Sequence, residues 1–200
     1  MQLNAEDGGH RKFIMVQLPE ACDAKSEAYK AGYRTICDIG EERIRRAGEK
    51  IRQEHPGAEL DTGFRVFRVD STNMEDVYYS AGDYSQALLA GLVSNMKPDR
   101  SALDLFFGCI LDAGLPLDRP YAAECIEDCT VHDYGGGLLL ACFDEAVPEA
   151  VIRAMAARHP LHAVFRDSSF ADSAARINAD EIFKSASTGG SHKGTAIHIL

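Results

Sequence analysis

The sequence predicts an α/β chain in two parts, an incomplete sheet over residues 1–75 followed by a small α/β domain over residues 80–200. Three observations carry this. Phe13-Ile14-Met15-Val16 is an unbroken apolar run with Gly8-Gly9 before it and Pro19-Glu20 after it, the pattern of a strand buried on both faces. Ile36, Ile39, Ile44, Ala47 and Ile51 fall at helical spacing and form one apolar stripe. From Leu138 to Leu200 the pattern runs strand–helix–strand–helix–strand, which implies parallel strands joined by crossover helices.

Taken in order, Met1–Asn4 reads as the last turn of a helix, and Arg11–Leu18 as an interior strand. Pro19 ends that strand because it has no N–H to give to a ladder. Ala21–Tyr33 is a polar connection, and Thr35 is placed to cap the helix that follows. Pro56-Gly57 stops that helix. Gly63–Asp70 alternates apolar and polar residues and predicts a half-exposed strand. Ser85–Met96 and Ala102–Ala113 read as helices, with Gly114 at the C-cap of the second. Tyr121–Thr130 and Val131–Asp133 predict short strands around a Glu127-Asp128 turn. Leu138–Phe143 is a buried strand, Pro148 opens the helix Glu149–Arg158, and His162–Arg166 is a strand. A helix through Asp172–Ser185, a loop at Ser187–Gly194 and a final strand at Thr195–Leu200 complete the pattern.

Composition bounds the function. The 200 residues are 46% hydrophobic and 26% charged, enough for a packed core. A formal net charge of −10 repels polyanions and counts against a free-standing nucleic-acid binder. No apolar run approaches the roughly 18 residues that span a bilayer, and the polar start is unlike a secretory signal. Six cysteines scattered through apolar surroundings favour reduced thiols in a cytoplasmic protein.

Several segments resemble one family. Gly8-Gly9-x-Arg11-Lys12-Phe13-Ile14-x-Val16-Gln17-Leu18-Pro19-Glu20 is similar to the second strand of the methyltransferase domain in type III restriction–modification methylases, the Mod subunits. The similarity continues at Lys25–Tyr33, Glu42–Gly48, Leu60–Phe64, Asp104–Ile110, Gly114–Leu117, Val164–Asp172 and Asn178–Phe183, in unbroken order. The resemblance implies a Rossmann-like methyltransferase sheet, incomplete here, and a C-terminal α/β domain. It implies adenine-N6 methylation of DNA with S-adenosylmethionine as methyl donor, pairing of Mod subunits, and binding to the helicase–nuclease Res subunit. The family's glycine-rich cofactor loop and its Asp/Asn-Pro-Pro-Tyr/Phe motif are absent from these residues. The expectation is therefore a C-terminal portion of a Mod polypeptide that is inactive alone, with no catalytic residue to assign. A non-enzymatic assembly module for Mod dimerisation or Res docking is the alternative.

Candidate sites are few. In the resembled family an acidic residue at the end of the second strand holds the cofactor ribose. Here the matching position is Gln17, with Glu20 three residues on, and the two are the candidate cofactor-binding residues. The plainer reading makes Gln17 a strand-end amide and Glu20 a surface acid. Arg43, Arg45, Arg46, Lys50 and Arg52 suit DNA phosphates or a partner subunit, but Glu41, Glu42 and Glu49 at near-helical spacing favour a solvated, ion-paired face. Cys125-x3-Cys129 with His132 suggests zinc, yet only Cys142 or Asp133 is near enough to be a fourth ligand, and no metal is expected. Gly135-Gly136-Gly137 leads into a strand, not out of one into a helix, so it reads as a turn and not a phosphate cradle. Arg166–Asp172 is the densest polar cluster, best explained by helix capping. A weaker alternative makes it the site of an unrelated small-molecule enzyme.

Overall fold

The computed structural model describes residues 1–75, 96–187 and 194–200. The chain divides into two compact units, Met1–Val69 and Asp70–Leu200.

The first unit is helical. Helix α1 (Gln2–Asp7) ends on Gly8 in the left-handed conformation, φ 68°, which glycine adopts without a Cβ clash. Helix α2 (Glu27–Lys30), within the stretch expected to be a plain connection, is capped by the Ser26 side chain accepting from Tyr29 N. Helix α3 (Ile36–Glu54) carries the expected cap, completed as a capping box: Thr35 accepts from Asp38 N while the Asp38 carboxylate accepts from Thr35 N. Its helical N–H groups would otherwise be unsatisfied at this end. The helix stops at His55, just before Pro56.

Two expected strands are not formed. Residues 8–20 and 61–70 form no strand, and among the described residues the first strand begins at Tyr121. The apolar run lies open to solvent, with Ile14 94% and Val16 93% exposed, and Val69 is 99% exposed. The physical reason is that a strand is stable only through its neighbours. High β-propensity and an apolar run supply no ladder partner. Residues 17–22 do have anchors. Cys22 N donates to Arg34 O at 2.8 Å, Ile36 N donates to Glu20 O at 3.0 Å, and Ala21 and Thr35 form an isolated bridge.

The second unit holds the sheet and bears out the α/β class. Helix α4 (Ala102–Asp112) is capped by Ser101 and Asp104 in a second capping box, and Gly114 follows it at φ 67°. Strands β1 (Tyr121–Ile126), β2 (Cys129–Tyr134), β3 (Leu139–Cys142), β4 (His162–Phe165) and β5 (Ala196–Ile199) lie side by side in chain order. The first three are antiparallel neighbours, whereas β4 and β5 add in parallel. Helices α5 (Glu149–Ala156) and α6 (Ser173–Ser187) make the two crossovers, as the alternating pattern predicts. The Glu127-Asp128 turn has both residues at positive φ, 45° and 65°, which suits a tight two-residue hairpin. Gly135, Gly136 and Gly137, all at positive φ, turn the chain from β2 into β3.

Strand alternation sends side chains to both faces of the sheet, and each face has its own cover. Cys129, Val131, Leu140, Cys142, Ala163 and Phe165 pack under Val151, Met155, Ile182 and Phe183 of α5 and α6. Tyr134, Leu139, Ala141, Phe143 and Val164 pack under Leu105, Phe106 and Ile110 of α4. The result is three layers, helix–sheet–helix pair. The expected helix Ser85–Met96 and loop Ser187–Gly194 fall almost wholly outside the described residues.

Candidate functional site

Gln17 and Glu20 lie on the exposed 8–20 segment, close to the start of α3. The Cys37 thiol sits 3.9 Å from the Gln17 carbonyl and 3.7 Å from the Leu18 carbonyl, so backbone contacts fix this stretch. Both side chains point into solvent. The nearest concavity in this unit, a groove of about 480 Å³, is lined instead by Met1, Phe13, Met15, Arg43, Ile44 and Ile51 among others. Phe13 and Met15 thus line the same groove as the apolar stripe of α3, while Ile14 and Val16 are almost wholly exposed.

The basic residues of α3 are largely engaged along their own helix. Arg45 pairs with Glu41 at 3.0 Å, Arg46 with Glu42 at 2.7 Å, and Lys50 with Glu54 at 3.7 Å. Arg45 also lies over the Phe64 ring, 5.5 Å from its centroid. Such i,i+4 pairs steady the helix by a few tenths of a kcal/mol each and use up the charge that phosphates would need.

In the second unit the residues first grouped as Cys125, Cys129 and His132 separate. Register pairs Cys125 with Thr130 and Ile126 with Cys129, so Cys125 and Cys129 take opposite faces of the sheet. His132 is buried on the α4 side among Phe106, Tyr121 and Phe143, with ring centroids 5.2, 6.0 and 5.9 Å away. Burial holds its pKa below the usual imidazole value, and its Nδ1 shares a hydrogen bond with the Tyr121 hydroxyl at 3.0 Å. Cys129 meets Cys142 and Asp144 instead. The sequence held a signal for this: a turn at Gly135–Gly137 pairs Val131 with Cys142, which sets Cys129 diagonally across from it. Asp133 takes a structural part. Its Oδ1 accepts from Gly137 N at 2.7 Å, and Arg158 bridges it to Glu124.

The Arg166–Asp172 cluster is occupied by structure. Asp167–Ser169 is a single 3-10 turn. The fully buried Ser169 hydroxyl accepts from Arg166 N at 3.2 Å and lies 3.4 Å from the Cys142 carbonyl, tying the turn to β3. Asp172 accepts from Ala175 N at 2.7 Å in the first turn of α6, and Asp167 pairs with Arg176 at 3.7 Å. Asn178 donates to Glu149 at 2.9 Å, joining α6 to α5. The helix is thus capped by Asp172, whereas Asp167 or Ser168 was the expected cap.

No family model matches the chain. It is 46% identical over 68 residues to the StyLTI Mod subunit of the type III restriction–modification enzyme of Salmonella typhimurium, covering 34% of this chain and 10% of that protein. It is 40% identical over 67 residues to the EcoP15I Mod subunit of Escherichia coli, covering 34% of this chain and 9% of that one. The chain matches a segment of type III Mod subunits. The matched segment spans about a tenth of the length of these relatives. Among the described residues no helix is long and apolar enough to cross a membrane.

Proposed function

We propose that this chain is a segment of a type III site-specific DNA methyltransferase that modifies adenine at N6 with S-adenosylmethionine. The observation that carries the reading is 46% identity over 68 residues to a type III Mod subunit. On this reading residues 1–75 contribute to the Rossmann-like methyltransferase sheet and residues 80–200 form the C-terminal α/β domain. Exposed Ile14 and Val16 support the first assignment, because two such residues gain burial when neighbouring strands flank the run. Gln17 and Glu20 then stand at the carboxyl end of a sheet strand, where ligands of open α/β sheets bind, and one or both line the cofactor site.

The partners follow from the same reading: DNA through the full-length subunit, a second Mod copy, and Res, all in the cytoplasm. The target adenine must be flipped out of the duplex, since its amine is otherwise out of reach. The 200 residues alone do not turn over, because they carry neither the glycine-rich loop nor the catalytic tetrapeptide. A second reading, an assembly module for Mod pairing or Res docking, draws on the same exposed apolar residues.

Methyl transfer and cofactor affinity test the first reading, and the mass of the purified chain in solution, with and without Res, tests the second. The isolated chain is expected to transfer no methyl groups to DNA. A complete Mod polypeptide containing it is expected to do so, with S-adenosylmethionine affinity lowered in Gln17→Ala or Glu20→Ala. Turnover by the isolated chain would refute the segment reading. Unchanged cofactor affinity in both variants would remove the two residues from the site.

A further inference from the structure

On the face of the sheet covered by α5 and α6, two thiols and a carboxylate converge. Cys129 opens β2, Cys142 closes β3, and Asp144 follows two residues later. Their donor atoms all lie within 4.8 Å of one another. The Cys142 sulfur is 3.6 Å from Asp144 Oδ2. Zinc bound tetrahedrally, with bonds of about 2.3 Å to sulfur and 2.0 Å to oxygen, places those two donors about 3.5 Å apart. The geometry points to a binding site for a zinc-class divalent ion at Cys129, Cys142 and Asp144, with water as the fourth ligand.

The surroundings suit such a site. Both sulfurs are buried, Cys129 6% and Cys142 0% exposed, while Asp144 is only partly buried and opens the site to solvent. A water can reach the fourth position from that side. The donors are held before any ion arrives. Asp144 Oδ2 accepts from Thr130 N at 2.6 Å, and the Cys142 carbonyl is fixed by β3 and the Ser169 hydroxyl. Two soft sulfurs with one oxygen select zinc, or cobalt in its place, over magnesium or calcium, which want all-oxygen shells. A thiol binds the metal only as the thiolate, so each cysteine gives up its proton on binding. Binding therefore forms two metal–sulfur bonds and one metal–oxygen bond and releases two protons.

The test uses cobalt(II), added to the whole reduced 200-residue chain. Expected are one equivalent bound, a sulfur-to-cobalt charge-transfer absorption, and two protons released per cobalt. Cys125→Ser, outside the cluster, keeps the absorption, and Cys142→Ser loses it. Asp144→Asn, on the solvent rim, weakens cobalt binding at least about tenfold while the far-UV circular dichroism stays unchanged. An intact chain that shows no charge-transfer absorption overturns the site. So does an absorption that survives Cys142→Ser, or one that vanishes in Cys125→Ser. The outcome does not depend on whether the chain serves a methyltransferase.

Discussion

The Tyr121 hydroxyl meets His132 Nδ1 at 3.0 Å beneath helix α4, sealing a neutral imidazole into an aromatic cluster. The His132 pKa is lowered by burial, so the unfolded chain binds a proton that the folded chain resists. Stability is therefore present above the ordinary histidine pKa of about 6.5 and is lost as pH falls below it. His162, lowered by burial and by His198, has the same sign. Denaturant midpoints measured from pH 8 to pH 5 are expected to fall, and His132→Phe should flatten part of that slope. A slope unchanged in His132→Phe would clear this residue of the effect.

Phe106 is the central knob of the α4 face, fully buried and in ring contact with Tyr121, His132 and Tyr134. Phe106→Ala should cost about 3–5 kcal/mol, read from urea unfolding of the second unit. A loss under about 1 kcal/mol would mean that the layer collapses to fill the cavity.

Each long α-helix start depends on a side-chain cap. Thr35→Ala and Ser101→Ala each remove one half of a capping box and should each cost about 1 kcal/mol. Thr35→Ser and Ser101→Thr should restore most of it. Thermal unfolding followed by circular dichroism reads both.

The hairpin between β1 and β2 holds Asp128 at φ 65°, a conformation glycine takes without strain. Asp128→Gly should raise stability by about 1 kcal/mol, since the side chain there makes the left-handed geometry costly. A drop in melting temperature would show that the carboxylate itself holds the turn.

The run Phe13–Leu18 exposes Ile14 and Val16 almost completely. Contiguous exposed apolar surface drives self-association. In sedimentation experiments the isolated chain should associate, and Ile14→Lys with Val16→Lys should shift it towards monomer without moving the unfolding transition. An unfolding transition lowered by these changes would mean the two residues are buried.

The sequence is most legible where structure is set locally. Thr35, Gly114 and Glu127-Asp128 announce a cap, a helix end and a turn through their own chemistry, and each stands where expected. Crossovers α5 and α6 were readable because the strands they join lie within the same stretch. Arg11–Leu18 has the composition of a strand yet forms none in this chain, because strand formation belongs to a pair of segments. Helix α2 is a single turn, too short for periodicity to register. The Cys129–Cys142–Asp144 cluster depends on hairpin register, which is legible only through the Gly135–Gly137 turn that sets it. His132 looked like a ligand because its face of β2 is a property of the fold.

The five strands sit in space in the order in which they occur along the chain. Each can therefore dock on a template already laid down, with no gap held open for a later arrival. Assembly during synthesis can run in one direction, the hairpins first through short turns with little entropy to lose, and each crossover strand afterwards with its helix. A ribosome emitting this domain from its amino end would release a growing sheet whose unfinished border is always the newest strand.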